Sequence, residues 1–161
     1  MRFSVVLNSK GIGIVLQRAA KSDGEMDLQN ILIIKLRHIG DVLLSTPVLR
    51  GLRAAFPLAR LTMLVNRGTE GVLVNNPDVN EVLCLEKGAW DAQLKFVQML
   101  RRRGFDGVVD LTDGDRSAVI SLATGAPVRI GFNAEHRWRG LLYSTVAKPR
   151  QADQHRVDYD L

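Results

Sequence analysis

Three polar turns hold the residues that could do chemistry. The first, Arg37-His38-Ile39-Gly40-Asp41, follows the apolar run Ile31 to Leu36. An open α/β sheet binds ligands at the carboxyl ends of its strands, so Asp41 lies where an acidic side chain would meet one. Its plainer reading is that it caps the following helix. The second turn is Asp113-Gly114-Asp115-Arg116. Asp113 is placed as the N-cap of a helix whose free N–H groups could hold an anion, or which it simply caps. The third is the basic loop Asn133 to Arg139, with His136, Arg137 and Arg139.

These turns set a ring of cations on one rim. Lys35 and Arg37 flank the first strand's end, Arg67 follows the second strand, Arg116 the fourth, and Arg137 and Arg139 the fifth. Arginine forks onto phosphate and carboxylate oxygens with two parallel hydrogen bonds. Arg37, Arg137 and Arg139 rank first as anion contacts, and the others read more readily as solvated or paired. His38 could orient a ligand or simply be an exposed turn residue. No Cys/His spacing suggests a zinc site, and no metal is expected. A P-loop is excluded because G-x-x-x-x-G-K-[ST] does not occur. A dinucleotide site needs a glycine-rich first turn, and this one has a single glycine; Asn66-Arg67 stand where an acid should follow the second strand.

The elements that must position these turns can be read from hydrophobic period. Ile31 to Leu36, broken only by Lys35, reads as a strand buried on both faces. Leu44, Val48, Leu49, Leu52, Ala55 and Phe56 recur at helical spacing, and Pro57 ends the pattern. Pro47 leaves two readings: a helix from Asp41 that kinks there, or a helix capped by Thr46 with Pro47 as its first residue. Strands are expected at Arg60 to Val65, Glu81 to Leu85, Gly107 to Leu111 and Val128 to Phe132. Between them fall a short helix over Gly68 to Val74 and a longer one with the stripe Trp90, Leu94, Val97 and Leu100. The longer helix ends in Arg101-Arg102-Arg103, a run that reads as a solvated end, and in Gly104 as cap. A weak helix is expected near Leu141 to Val146. The order βαβαβαβαβ implies an α/β, Rossmann-like parallel sheet with right-handed crossovers and helices on both faces.

Composition limits the rest. The chain has 161 residues, enough for one good core, and 46% hydrophobic with 24% charged residues is ordinary for a globular domain. No apolar run approaches the roughly 20 residues needed to span a bilayer. Cys84, the one cysteine, reads as a small buried hydrophobe, in keeping with a reducing cytoplasm. The net charge of +5 favours anionic partners. Only 6% of residues are aromatic, without basic–aromatic interleaving, so nucleic acid is not the expected partner. Residues 1–25 fit poorly with the rest and read as a disordered or mis-assigned extension in preference to a membrane-surface helix. Residues 26–161 form the domain.

The stretch KLRHIGDVLLSTPVLRGLRAAFP resembles the opening motif of the glycosyltransferase family 9 heptosyltransferases, with its basic KLRH most similar to the heptosyltransferase III branch. The resemblance runs from about Asn30 to the last residue. It implies the N-terminal, acceptor-side domain of a GT-B fold, with the donor-binding C-terminal domain absent. The activity it implies is inverting, metal-independent transfer of heptose from ADP-heptose to the inner core of lipopolysaccharide, without a cofactor, in the cytoplasm and peripherally at the inner-membrane face. By the same resemblance Asp41, in the Gly40-Asp41 pair, is the catalytic base, and Gly40 lets the backbone approach the ligand. The implied acceptor is anionic, which assigns its contacts to Lys35, Arg37, His38, Gly40, Arg116, Arg137 and Arg139, with Asp113 and Gly114 as an anion-holding turn. Two other readings remain: a non-catalytic acceptor-binding half, and a nucleotide-binding Rossmann-like protein. The isolated chain is expected to lack transferase activity.

Overall fold

The computed structural model describes residues 28–86, 88, 90–133 and 137–147. Six strands form one sheet: β1 (Asn30–Lys35), β2 (Arg60–Asn66), β3 (Glu81–Leu85), β4 (Gly107–Asp110), β5 (Val128–Phe132) and β6 (Thr145–Ala147). Their order is β3-β2-β1-β4-β5-β6, and all neighbours are parallel. The helices are α1 (Ile39–Leu44), α2 (Thr46–Ala55), α3 (Trp90–Arg102) and α4 (Asp115–Ala123), with 3-10 turns at Glu70–Leu73 and Trp138–Leu142.

Strand alternation explains why the sheet is covered on both faces. Ile31 and Ile33 enter one core with Val42, Val48, Leu49 and Leu52 of α1 and α2. Leu32 and Ile34 enter the other with Leu100 of α3 and Ile120 of α4. All four β1 residues are fully buried, as a central parallel strand requires. Each crossover returns a helix antiparallel to the strands, so turns that could bind a ligand gather at the strands' carboxyl ends. The order reverses between β1 and β4, which places a crevice between the turns that follow them.

Several elements differ from the sequence expectation. The first helical stretch is neither kinked at Pro47 nor capped by Thr46. It is two helices, the second N-capped by Ser45 with Thr46 and Pro47 in its first turn. The hydroxyls of Ser45 and Thr46 donate to the carbonyls of Val42 (2.7 Å) and Leu43 (2.8 Å), which satisfies the end of α1. The expected helix near Leu141 to Val146 is a 3-10 turn followed by β6, because Thr145 to Ala147 find open backbone partners along β5. Leu94 is exposed, and α3 packs through Phe96, Met99 and Leu100 instead. Gly104 does end α3, with φ of +62°. Of the arginine run, Arg103 is not solvated: it donates to Glu81 at 2.6 Å. Cys84 is half-buried on the edge strand β3. The extension at residues 1–25 and His136 lie outside the described residues. No helix among the described residues is long and apolar enough to cross a membrane.

Candidate functional site at the switch point

Two loops meet at the crevice, and they are joined by hydrogen bonds rather than by packing alone. The loop after β4 carries Leu111 to Gly114. Its Thr112 uses every polar group it has. The Thr112 N–H donates to Asp110 Oδ1 at 2.8 Å. The Thr112 hydroxyl oxygen accepts from the Leu36 N–H at 2.9 Å and lies 3.3 Å from the Ile34 carbonyl. The Thr112 carbonyl accepts both Nε (3.1 Å) and Nη2 (3.0 Å) of Arg37. Lys35 is only 6% exposed, and its ammonium donates to the Leu111 carbonyl at 3.1 Å. The β1 and β4 ends are thus stitched together beneath the crevice.

A buried acid supports this loop. Asp110 is fully buried, and its Oδ2 accepts from the Tyr143 hydroxyl at 2.7 Å. Burial pushes the Asp110 carboxyl up from its ordinary value, while bonds from Ser117, Thr112 and Tyr143 pull it down; burial dominates. Burial and the Asp110 charge also push the Tyr143 hydroxyl up, so it remains a donor. The ring lies directly over Gly131 of β5, where any Cβ would overlap it.

After Thr112 the chain turns sharply. Asp113 adopts φ of +54°, a left-handed conformation that short polar residues tolerate, and Gly114, not Asp113, is the N-cap of α4. The Asp113 carboxylate instead meets Arg139. That guanidinium is 2% exposed and divides between Asp113 Oδ1 at 2.9 Å and Asp115 Oδ1 at 3.0 Å. Arg137 is exposed and lies 3.7 Å from Asp115 Oδ2. Asn133 braces that loop: its Nδ2 donates to the Arg137 carbonyl at 2.8 Å and its Oδ1 accepts the Arg137 N–H at 2.9 Å.

In the turn after β1, Asp41 is half-buried in the first turn of α1. His38 is the exposed N-cap and makes no side-chain cap bond. Gly40 is exposed, and a Cβ there would meet nothing within 4 Å, so the backbone beside Asp41 is open to an incoming molecule. Arg116 is exposed in the first turn of α4. Arg67 pairs with Glu86, away from the crevice.

The turn after β1 carries Arg37, His38, Gly40 and Asp41, and the loops after β4 and β5 with the start of α4 carry Asp113, Gly114, Arg116, Arg137 and Arg139. Lys35 is beneath the crevice as a brace. Arg37, Arg137 and Arg139 all meet protein oxygens, and Arg37, His38, Arg116 and Arg137 are exposed. Sequence reasoning missed Asp110, Thr112, Asn133 and Tyr143. An acid closing the apolar Val108-Val109 run was a signal for Asp110; Tyr143 gave none, because its partner is 33 residues away. Among the described residues, no three His, Cys, Asp or Glu side chains are grouped to hold a metal ion.

The profile of glycosyltransferase family 9 (heptosyltransferase) matches residues 93–160. Lipopolysaccharide heptosyltransferase 3 of Escherichia coli strain K12 is 31% identical over 112 residues, which cover 66% of this chain and 33% of the relative. The chain is thus similar to glycosyltransferase family 9 over part of its length. A family 9 glycosyltransferase from Veillonella parvula shares its fold with a TM-score of 0.71 at 23% identity, over 84% of this chain and 40% of that one. The ADP-heptose lipopolysaccharide heptosyltransferase II of E. coli aligns with a TM-score of 0.69 at 24% identity, over 82% and 39%. The six-stranded parallel sheet with its helices is a fold shared with these GT-B structures. The chain spans about a third of the length of the curated family 9 relatives it matches.

Proposed function

We propose that this chain is the acceptor-side part of an inverting heptosyltransferase that moves heptose from ADP-heptose to the inner core of lipopolysaccharide. The observation that carries the reading is the position of Asp41, half-buried in the turn after β1 at the point where strand order reverses. In this mechanism the Asp41 carboxylate takes the proton of the acceptor hydroxyl. The hydroxyl oxygen then bonds to the anomeric carbon as the bond from that carbon to the diphosphate oxygen breaks. ADP departs with the electron pair, and attack from the opposite face inverts the configuration.

Acceptor oxoanions meet Arg116 and Arg137, which are exposed near the carboxyl ends of the strands. Arg37 and Arg139 shape the loops there, and His38 and Gly40 line the approach to the base. Gly114 and the first turn of α4 add backbone N–H groups at the same strand ends. The donor is held by a second domain, and metal plays no part. The acceptor is lipid-linked, which puts the protein at the cytoplasmic face of the inner membrane with no role for nucleic acid.

Transfer of radiolabelled heptose tests this, in the protein carrying its donor domain. Asp41→Asn should lower kcat by about 10²–10⁴-fold with folding unchanged, the range lost with a general base. The 161-residue chain alone should show no turnover. Asp41→Asn retaining near-full kcat would remove the base assignment, and Asp41-dependent turnover by the chain alone would remove the need for a second domain.

A further inference from the structure

Thr112 lies at the crossing of two hydrogen-bond systems. On one side is the buried Asp110, which takes the Thr112 N–H at 2.8 Å and the Tyr143 hydroxyl at 2.7 Å. On the other is the turn leading to Asp41, which Thr112 holds through the Leu36 N–H at 2.9 Å and through both Arg37 donors at 3.0 and 3.1 Å. The Arg37 carbonyl also accepts from Asn66 Nδ2 at 3.4 Å, so the turn is tied to β2 as well.

We propose that Tyr143, Asp110 and Thr112 form a positioning relay that sets the geometry of the Arg37–Asp41 turn. None of the three touches substrate in this scheme. Their catalytic meaning rests on the Asp41 reading above, but the relay itself can be measured without it.

Three features support a relay over three unrelated bonds. First, the bonds are contiguous: Thr112 cannot move by half an ångström without breaking its bond to Asp110 or dragging the Arg37 fork with it. Second, the acid is fully buried, so water cannot replace a donor removed from it and only its remaining partners, among them Ser117, can compensate. The loop must then rearrange to satisfy it. Third, Gly131 makes the space in which the Tyr143 ring reaches Asp110, so the end of β5 is built around this contact.

The test is amide hydrogen exchange in the full 161-residue chain, with two reporters. The Leu36 amide donates to Thr112, and the Val42 amide closes the first turn of α1 on the His38 carbonyl at 3.1 Å. Tyr143→Phe should speed exchange of both by about tenfold beyond any change at core strand amides, as a local opening does. It should also shift the signal of the Asp41 carboxyl carbon. Thr112→Val should reproduce both effects, and Thr112→Ser, which keeps the hydroxyl, should largely restore the original values.

Leu100→Ala is the control. It lowers global stability from the other core and should speed all globally exchanging amides while leaving the Asp41 signal in place. If Tyr143→Phe leaves Leu36, Val42 and the Asp41 signal unchanged, or moves them only as Leu100→Ala does, the relay is overturned. If the relay holds while Asp41→Asn keeps transfer intact, the base assignment fails and the relay stands.

Discussion

Arg137 and Arg139 are two positions apart and look alike in the sequence, yet they end in different chemistry. Arg139 is 2% exposed and bonded to two aspartates, and Arg137 points to solvent near one of them. Arg139 lies inside the 3-10 turn Trp138–Leu142 and is buried there, whereas Arg137 is the extended residue that caps it. Sequence reading could place both on the rim but could not separate them. Asp41 was legible, because a strand end followed by a Gly-Asp turn fixes its location. The engagement of Lys35 was not, since its partner is a main-chain carbonyl 76 residues away. Arg139→Ala removes two charge-assisted hydrogen bonds to partly exposed carboxylates, so it should destabilise the chain by about 1–3 kcal/mol in urea unfolding. Arg139→Lys should recover only part of this, because an ammonium cannot reproduce the fork. A loss below about 1 kcal/mol for Arg139→Ala would mean that the pair of bonds contributes little.

At the scale of elements, strands were easier to read than the helices beside them. Five strands were legible from short apolar runs ended by turn residues, and β3 and β5 match to the residue. β6 was not, because its three residues pair only where β5 leaves an open edge. The division of α1 from α2 also escaped, since Ser45 and Thr46 act by donating backward to α1 carbonyls, a use of hydroxyls that a forward capping rule does not anticipate. The β5 end makes a sharper prediction. Gly131→Ala inserts a methyl into the Tyr143 ring and should cost about 1–3 kcal/mol, as overpacking does. In the Gly131→Ala, Tyr143→Phe double variant the tyrosine hydroxyl effect should shrink, because the ring is already displaced. Full additivity of the two losses would argue that the ring and Gly131 do not meet.

For the whole molecule, stability and the candidate site lie at opposite edges of the sheet. At the strands' amino ends Glu81 joins Arg60 (2.8 Å) to Arg103 (2.6 Å), and these two guanidinium groups hold its carboxyl down at about 2. A carboxyl lowered by folding stabilises above its ordinary value of 4.5, and that stability is lost as pH falls toward 2. Unfolding free energy should therefore drop by about 1–2 kcal/mol between those limits from this group, after allowing for solvent screening. Glu81→Gln should flatten that part of the curve, and an unchanged slope would show that the carboxylate is not held. Because this network is remote from the crevice, the same variant should leave ligand binding alone.

The central claim is that the crevice at the β1–β4 switch point receives a phosphorylated sugar acceptor. Titrating the ¹⁵N-labelled chain with phosphorylated inner-core oligosaccharide, and following every amide, tests it most directly. Shifts concentrated at Leu36 to Asp41, at Thr112 to Arg116 and at Arg137 to Arg139, weakening as salt rises, are the predicted result. Shifts gathered at the opposite edge, around Arg60, Glu81 and Arg103, or none at millimolar ligand, would contradict it.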